Sequence, residues 1–185
     1  LGTMQGSTAS PAIWLAVSNV ILKALEGKAP GLVFYSADGA IRHHRTGEAF
    51  VDDTDLWVNA EALEGLEPTE ENITAAMKLT AQVWERLLTA TGGALAHGKC
   101  KWAMASWKWN PSGKCKMATI EESPGKIILT TGTSTEVMEI KRVNPSEGIC
   151  TLGVRTSMDE NNKDELKHRK QQAQTMKQRV LHAPL

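Results

Sequence analysis

Long apolar runs are missing from this 185-residue chain. None approaches the ~20 residues that a membrane-spanning helix requires, and the N-terminus lacks the basic-then-apolar order of a secretory leader. A membrane partner is therefore not expected, and the chain gives no address, which leaves an intracellular compartment, cytoplasm or nucleus, unassigned. Cysteine is scarce as well. Cys100, Cys115 and Cys150 contain no Cys-x-x-Cys pair and, being three, cannot all pair with one another, which excludes a disulfide framework and suits a reducing compartment. His97 lies three residues before Cys100, but no second close pair completes four zinc ligands, so buried free thiols are the expectation. Internal repeats, low-complexity tracts and Gly/Ser linkers are absent too, which leaves no support for a second globular domain.

Net charge is the last absence: 21 Lys and Arg balance 21 Asp and Glu. The balance hides segregation. Residues 48–71 carry nine acids and no Lys or Arg, whereas residues 163–179 carry six bases against two acids. Either these are two solvated faces, or local fields let a polyanion meet the basic end while cations meet the acidic one. What is present otherwise, 41% hydrophobic and 23% charged residues, is the composition of a folded globular protein with a sizeable core.

Ser10 followed by Pro11 suits a helix start, and Ile13, Val17, Val20, Ile21, Ala24 and Leu25 recur at helical spacing before Gly27. One buried helix is predicted there. Residues 32–35 read as a strand, Asp38-Gly39 as a hairpin turn, and a further short strand leads to His43 and His44 as exposed loop residues. Ala49-Phe50-Val51, the polar cluster Asp52-Asp53-Thr54-Asp55 and Leu56-Trp57-Val58 then read as strand, tight turn and strand. Thr69 caps a second helix whose face is Ile73, Met77, Thr80, Trp84, Leu87 and Leu88, and Gly92-Gly93 stops it. Trp14 and Trp84 are expected in the core.

From Cys100 onward the pattern favours strands, with Trp102 and Met104 alternating, Trp107 and Trp109 alternating, and Asn110-Pro111-Ser112-Gly113 as a turn. Trp107 and Trp109 share a face and are the candidates for base stacking. Later strands are predicted at 126–131, 136–143 and 149–155, followed by a charged helix over 163–182. Its narrow stripe of Leu166, Ala173, Met176 and Val180 is expected to dock one side and leave a basic side free.

The acidic turn carries the chemistry. A hairpin tip brings two carboxylates near one point without burying either charge, and Mg²⁺ wants such hard oxygen ligands. In nucleotidyl transfer a pair of ions ~3.5–4 Å apart stabilises both the attacking and the leaving oxygen. Two adjacent acids need at least one more from a neighbouring strand, and alone an Asp-Asp turn is an ordinary solvated loop.

Order and spacing supply the context. Gln5-Gly6-Ser7-Thr8-Ala9-Ser10-Pro11 opens a helix, Asp52 follows Gln5 by 47 residues within Phe50-Val51-Asp52-Asp53, Thr91-Gly92-Gly93-Ala94-Leu95 leads to Lys99-Cys100, and Leu152-Gly153-Val154 comes last. This series resembles the palm of reverse transcriptases, in motif style that of non-LTR and related retroelements. The resemblance spans residues 5–154 and implies an α+β fold: a palm-like antiparallel sheet with packed helices, additional β-hairpins and a C-terminal basic helix. It divides the chain into a partial palm, 1–155, and a basic helix, 156–185, at the start of a thumb.

Position by position, the resemblance implies that Asp52 and Asp53 bind catalytic Mg²⁺ (or Mn²⁺). Phe50 takes the aromatic place that is more often Tyr, without its hydroxyl. Gln5, Gly6 and Ser7 would lie near the templating base pair, and Lys99 would offer charge or a proton to the pyrophosphate. Leu152, Gly153 and Val154 would grip the primer. The partners implied are an RNA or DNA template, a DNA primer and a deoxynucleotide. The family's first catalytic Asp and its fingers precede the Gln-Gly-Ser motif, so the chain is expected to be a fragment of a longer polyprotein, inactive by itself. The alternative is a non-catalytic retroelement remnant that binds nucleic acid or protein.

Overall fold

Apolar spacing and local stop signals account for most of the elements. A computed structural model describes residues 10–50, 53–132, 136–151 and 154–181. Among them run α1 (Ser10–Glu26), β1 (Leu32–Tyr35), β2 (Arg42–Arg45), β3 (Gly47–Phe50), β4 (Asp53–Leu56), α2 (Glu70–Ala90), β5 (Lys101–Trp102), β6 (Trp107–Trp109), β7 (Cys115–Met117), β8 (Ile127–Thr130), β9 (Val137–Arg142), β10 (Ile149–Thr151), β11 (Val154–Thr156) and α3 (Lys163–Leu181). The architecture is α+β, with three helices and small antiparallel sheets of two or three strands. The residues fall into two units, one within Leu1–Cys100 and Gly125–Lys141, the other within Lys101–Pro124 and Arg142–Leu185.

In the first unit α1 and α2 share a core of Ile21, Leu25, Ala29, Trp84 and Leu88, flanked by Trp14, Val17, Leu22 and Leu56. Each large apolar side chain buried here stabilises the fold by ~1.5–3 kcal/mol. Only part of the expected α1 stripe is used. Ile13 and Val20 are 47% and 69% exposed, because the buried face runs through Trp14, Val17, Ser18, Ile21 and Leu25, about 100° around the helix from them. At the start of α2 the Thr69 hydroxyl accepts from Asn72 N at 3.2 Å, and at its end Gly92 takes φ 82° while Gly93 N donates to Leu88 O.

The far end of β8 is tied to α2 by polar groups. Gln82 accepts from Thr130 N at 2.8 Å and donates to Thr130 O at 3.0 Å, and the Glu85 carboxylate, 2% exposed, accepts from Gly132 N at 2.6 Å and Thr89 Oγ1 at 3.1 Å. β8 pairs with β9 through Ile127↔Ile140 to Thr130↔Val137, and Ile127 and Leu129 are buried.

β1 and β2 pair through the Asp38-Gly39 turn, where Gly39 has φ 71°. His43 and His44 are exposed as expected, yet they lie within β2 and not in a loop, since the register extends to Leu32↔Arg45. On the other side of β1, Asn59 acts as a surrogate strand: its amide accepts from Val33 N at 3.0 Å and donates to Val33 O at 2.6 Å. One residue, Thr46, fully buried, separates β2 from β3 and hands the pairing from β1 to β4. Among the described residues the acidic hairpin pairs with no further strand and is a two-stranded antiparallel ribbon.

In the second unit the β6–β7 hairpin turns at Asn110-Pro111-Ser112-Gly113, with Gly113 at φ 77° and the Asn110 amide accepting from Lys114 N at 2.8 Å. Trp102 is buried beneath the Arg142 guanidinium, 4.6 Å from its ring, and Val143 N donates to Trp102 O. The expected strand through Met104 stops at Trp102, although Met104 is buried. The segment 149–155, expected as one strand, is the β10–β11 hairpin.

Helix α3 is docked by its first turn. Asp164 accepts from Gly148 N and Glu165 from Arg155 N, both at 2.8 Å, where carboxylates also suit the positive end of the helix dipole. Beyond that turn the expected docking stripe is exposed: Leu166 by 55%, Met176 by 69% and Val180 by 66%, with Ala173 exposed as well. Four small or flexible apolar positions among so many charges bury too little area to hold a helix against a neighbour.

Candidate functional site: the acidic β-ribbon

The register of the ribbon sets its chemistry. Gly47 pairs with Leu56, Glu48 with Asp55, Ala49 with Thr54 and Phe50 with Asp53. Alternation puts Gly47, Ala49, Thr54 and Leu56 on one face and Glu48, Phe50, Asp53 and Asp55 on the other. Leu56 packs on the helical core, so the acids lie on the face turned away from it. Gly47 allows this closeness: a Cβ there would collide with the Asp55 carbonyl and come within 2.9 Å of Leu56 Cδ2.

Three of the four residues expected to form the turn lie in a strand instead. Asp53, Thr54 and Asp55 belong to β4, because pairing continues to Phe50↔Asp53 and leaves only residues 51 and 52 to connect the strands. Asp52 lies outside the described residues, as do Gln5, Gly6, Ser7, Leu152 and Gly153. Asp53 is exposed at the start of β4, and Phe50 across from it is 60% exposed. Asp55 is half-buried. Burial, followed by the like charges of Glu48 and Asp53, pushes its carboxyl above the usual range.

Carboxylate oxygens are the right donors for a hard divalent cation, and crowded like charge at Asp55 is what such an ion would relieve. Among the described residues, which do not include Asp52, no group of three His, Cys, Asp or Glu is arranged to hold a metal. Lys99 closes a 3-10 turn, His97–Lys99, with its side chain exposed and, among the described residues, no ion pair to the ribbon. Val154 belongs to the other unit, paired with Thr151 and 44% exposed. The cysteines are free, but Cys115 and Cys150 are exposed, not buried, and only Cys100 is partly covered, which raises its thiol pKa.

Two features escaped the sequence reading. One is buried Glu85. The other is a cleft of about 500 Å³ whose wall includes Val33, His44, Leu63 and Leu79, with an Arg42–Glu64 ion pair of 3.0 Å at its edge. Its lining comes from four separate segments, so no local motif announces it.

No family model, curated protein or solved structure matches the chain. Among the described residues no helix is long and apolar enough to cross a membrane.

Proposed function

We propose that this chain is the central part of an RNA-directed DNA polymerase of the retroelement type, with a palm-like arrangement, inactive without the rest of the polymerase. The observation that carries the reading is Asp53, exposed where β4 leaves a two-residue connection, directly across from Phe50, with further carboxylates on the same face. Four sequence motifs in reverse transcriptase order support it. Asp52 and Asp53 hold Mg²⁺ (or Mn²⁺), which when bound offsets the charge developing on the phosphoryl oxygens. Gln5, Gly6, Ser7 and Phe50 position template and incoming deoxynucleotide, Lys99 faces the pyrophosphate, and Leu152, Gly153 and Val154 orient the primer end.

In the intact polymerase, Asp52→Asn and Asp53→Asn are each expected to lower primer extension at least ~100-fold with the circular dichroism spectrum unchanged. Undiminished extension by the Asp52 variant refutes the assignment. A second reading, a non-catalytic module binding nucleic acid, is favoured by α3, whose two acids are both occupied at the hairpin while Lys163, Lys167, Lys170 and Lys177 fall near one side of the exposed helix. Nucleic-acid affinity that ignores salt concentration removes that reading.

A further inference from the structure

The β6–β7 hairpin leaves its largest side chains in water. Its register pairs Trp107 with Met117, Lys108 with Lys116 and Trp109 with Cys115, so both tryptophans share one face and the two lysines the other. The lysine face is occupied: Lys108 Nζ donates to the Glu122 carbonyl and Lys116 Nζ bridges to the Glu122 carboxylate at 2.5 Å. The hairpin is thus held from behind. In front, Trp107 is 60% and Trp109 73% exposed.

Exposed tryptophan pairs are uncommon without a ligand, because each ring leaves a large apolar area in water. Their spacing and surroundings narrow what that ligand is. Positions i and i+2 on a strand stand ~7 Å apart, two stacking steps of ~3.4 Å each. Within the hairpin's own unit, residues 101–120 contain no acid and four Lys, of which Lys108 and Lys116 are held by Glu122. Lys114, beside the hairpin turn, is exposed, and its ammonium has no ion pair or hydrogen bond among the described residues. A flat-faced polyanion satisfies both the rings and the charge. A duplex hides its base faces, so the strand must be single.

We propose that the β6–β7 hairpin binds single-stranded nucleic acid, with bases stacked on Trp107 and Trp109 and the backbone phosphates drawn to Lys114. The site is separate from the acidic ribbon and does not depend on the polymerase reading.

The test is fluorescence anisotropy of labelled oligothymidylate and oligouridylate titrated with the full chain. Saturable binding is expected, at least ~10-fold tighter than to a blunt duplex of the same length. Trp107→Leu with Trp109→Leu keeps the apolar area and removes the rings, and is expected to weaken binding at least ~10-fold. The corresponding double Phe variant restores most of it. Lys114→Glu weakens binding separately, while the same charge reversal at exposed Lys23 of α1 leaves it unchanged, which separates a local contact from an effect of net charge. Circular dichroism checks that each variant is folded. Equal affinity for the duplex, wild-type affinity in the Leu variant, which would mark an apolar protein-contact face, or no binding at low salt overturns the proposal.

Discussion

Asp55 concentrates the electrostatic cost of the ribbon. Its carboxyl titrates above the ordinary value because burial, then Glu48 and Asp53, disfavour the charged form. With the folded pKa above the unfolded one, the folded state binds the proton more tightly. The resulting stabilisation is present below the unfolded pKa and lost as pH rises through the folded one. Asp55→Asn, which cannot ionise, is therefore expected to raise the melting temperature at neutral pH by about 1–2 °C, solvent screening keeping the effect small, and to change little in acid. Thermal melts at both pH values check this, and a lower neutral melting temperature contradicts the account. A hairpin at this place was legible from the strand, turn and strand pattern. The end of the turn was not, because acids are poor strand formers and only cross-strand pairing placed Asp53 and Asp55 in β4.

Between elements, the junction of α2 and β8 shows how a buried acidic side chain is satisfied by hydrogen bonds. Glu85 sits one turn from Gln82 and from Thr89, and its oxygens accept from Gly132 N and the Thr89 hydroxyl. Glu85→Ala leaves that backbone N–H without its acceptor, at a cost of ~1–3 kcal/mol, whereas Glu85→Gln retains an acceptor and is expected to lose less. Urea unfolding of the two variants measures the difference, and equal stabilities would show that the clamp is idle. Local chemistry announced many of the elements themselves: Thr69 as a cap, Gly92-Gly93 as a stop, Asp38-Gly39 and Asn110–Gly113 as turns. Each is a short-range preference that acts wherever the segment lies. Glu85 gave no such signal, since an acid within a helix is ordinarily solvated and its acceptor role depends on a glycine 47 residues away.

For the molecule as a whole, the described residues are unevenly committed to packing. Residues 171–181 of α3 are all exposed, so truncation after Lys170 opens no cavity and leaves no buried group unpaired. Truncation there is expected to change the stability of the remaining chain by less than ~0.5 kcal/mol. A larger fall in the urea midpoint would show that this half of the helix packs in solution. The amino-acid order alone determined the three helices, the places of several hairpins and turns, and the separation of acidic from basic stretches, because those follow from backbone preference and side-chain period. Tertiary structure decided which stripe of α1 is buried, that the α3 stripe is left in water, that the acids line one face of an isolated ribbon, and that Trp107 and Trp109 stand exposed. Each of those depends on what lies opposite a side chain, and a neighbour distant in sequence leaves no mark on local pattern.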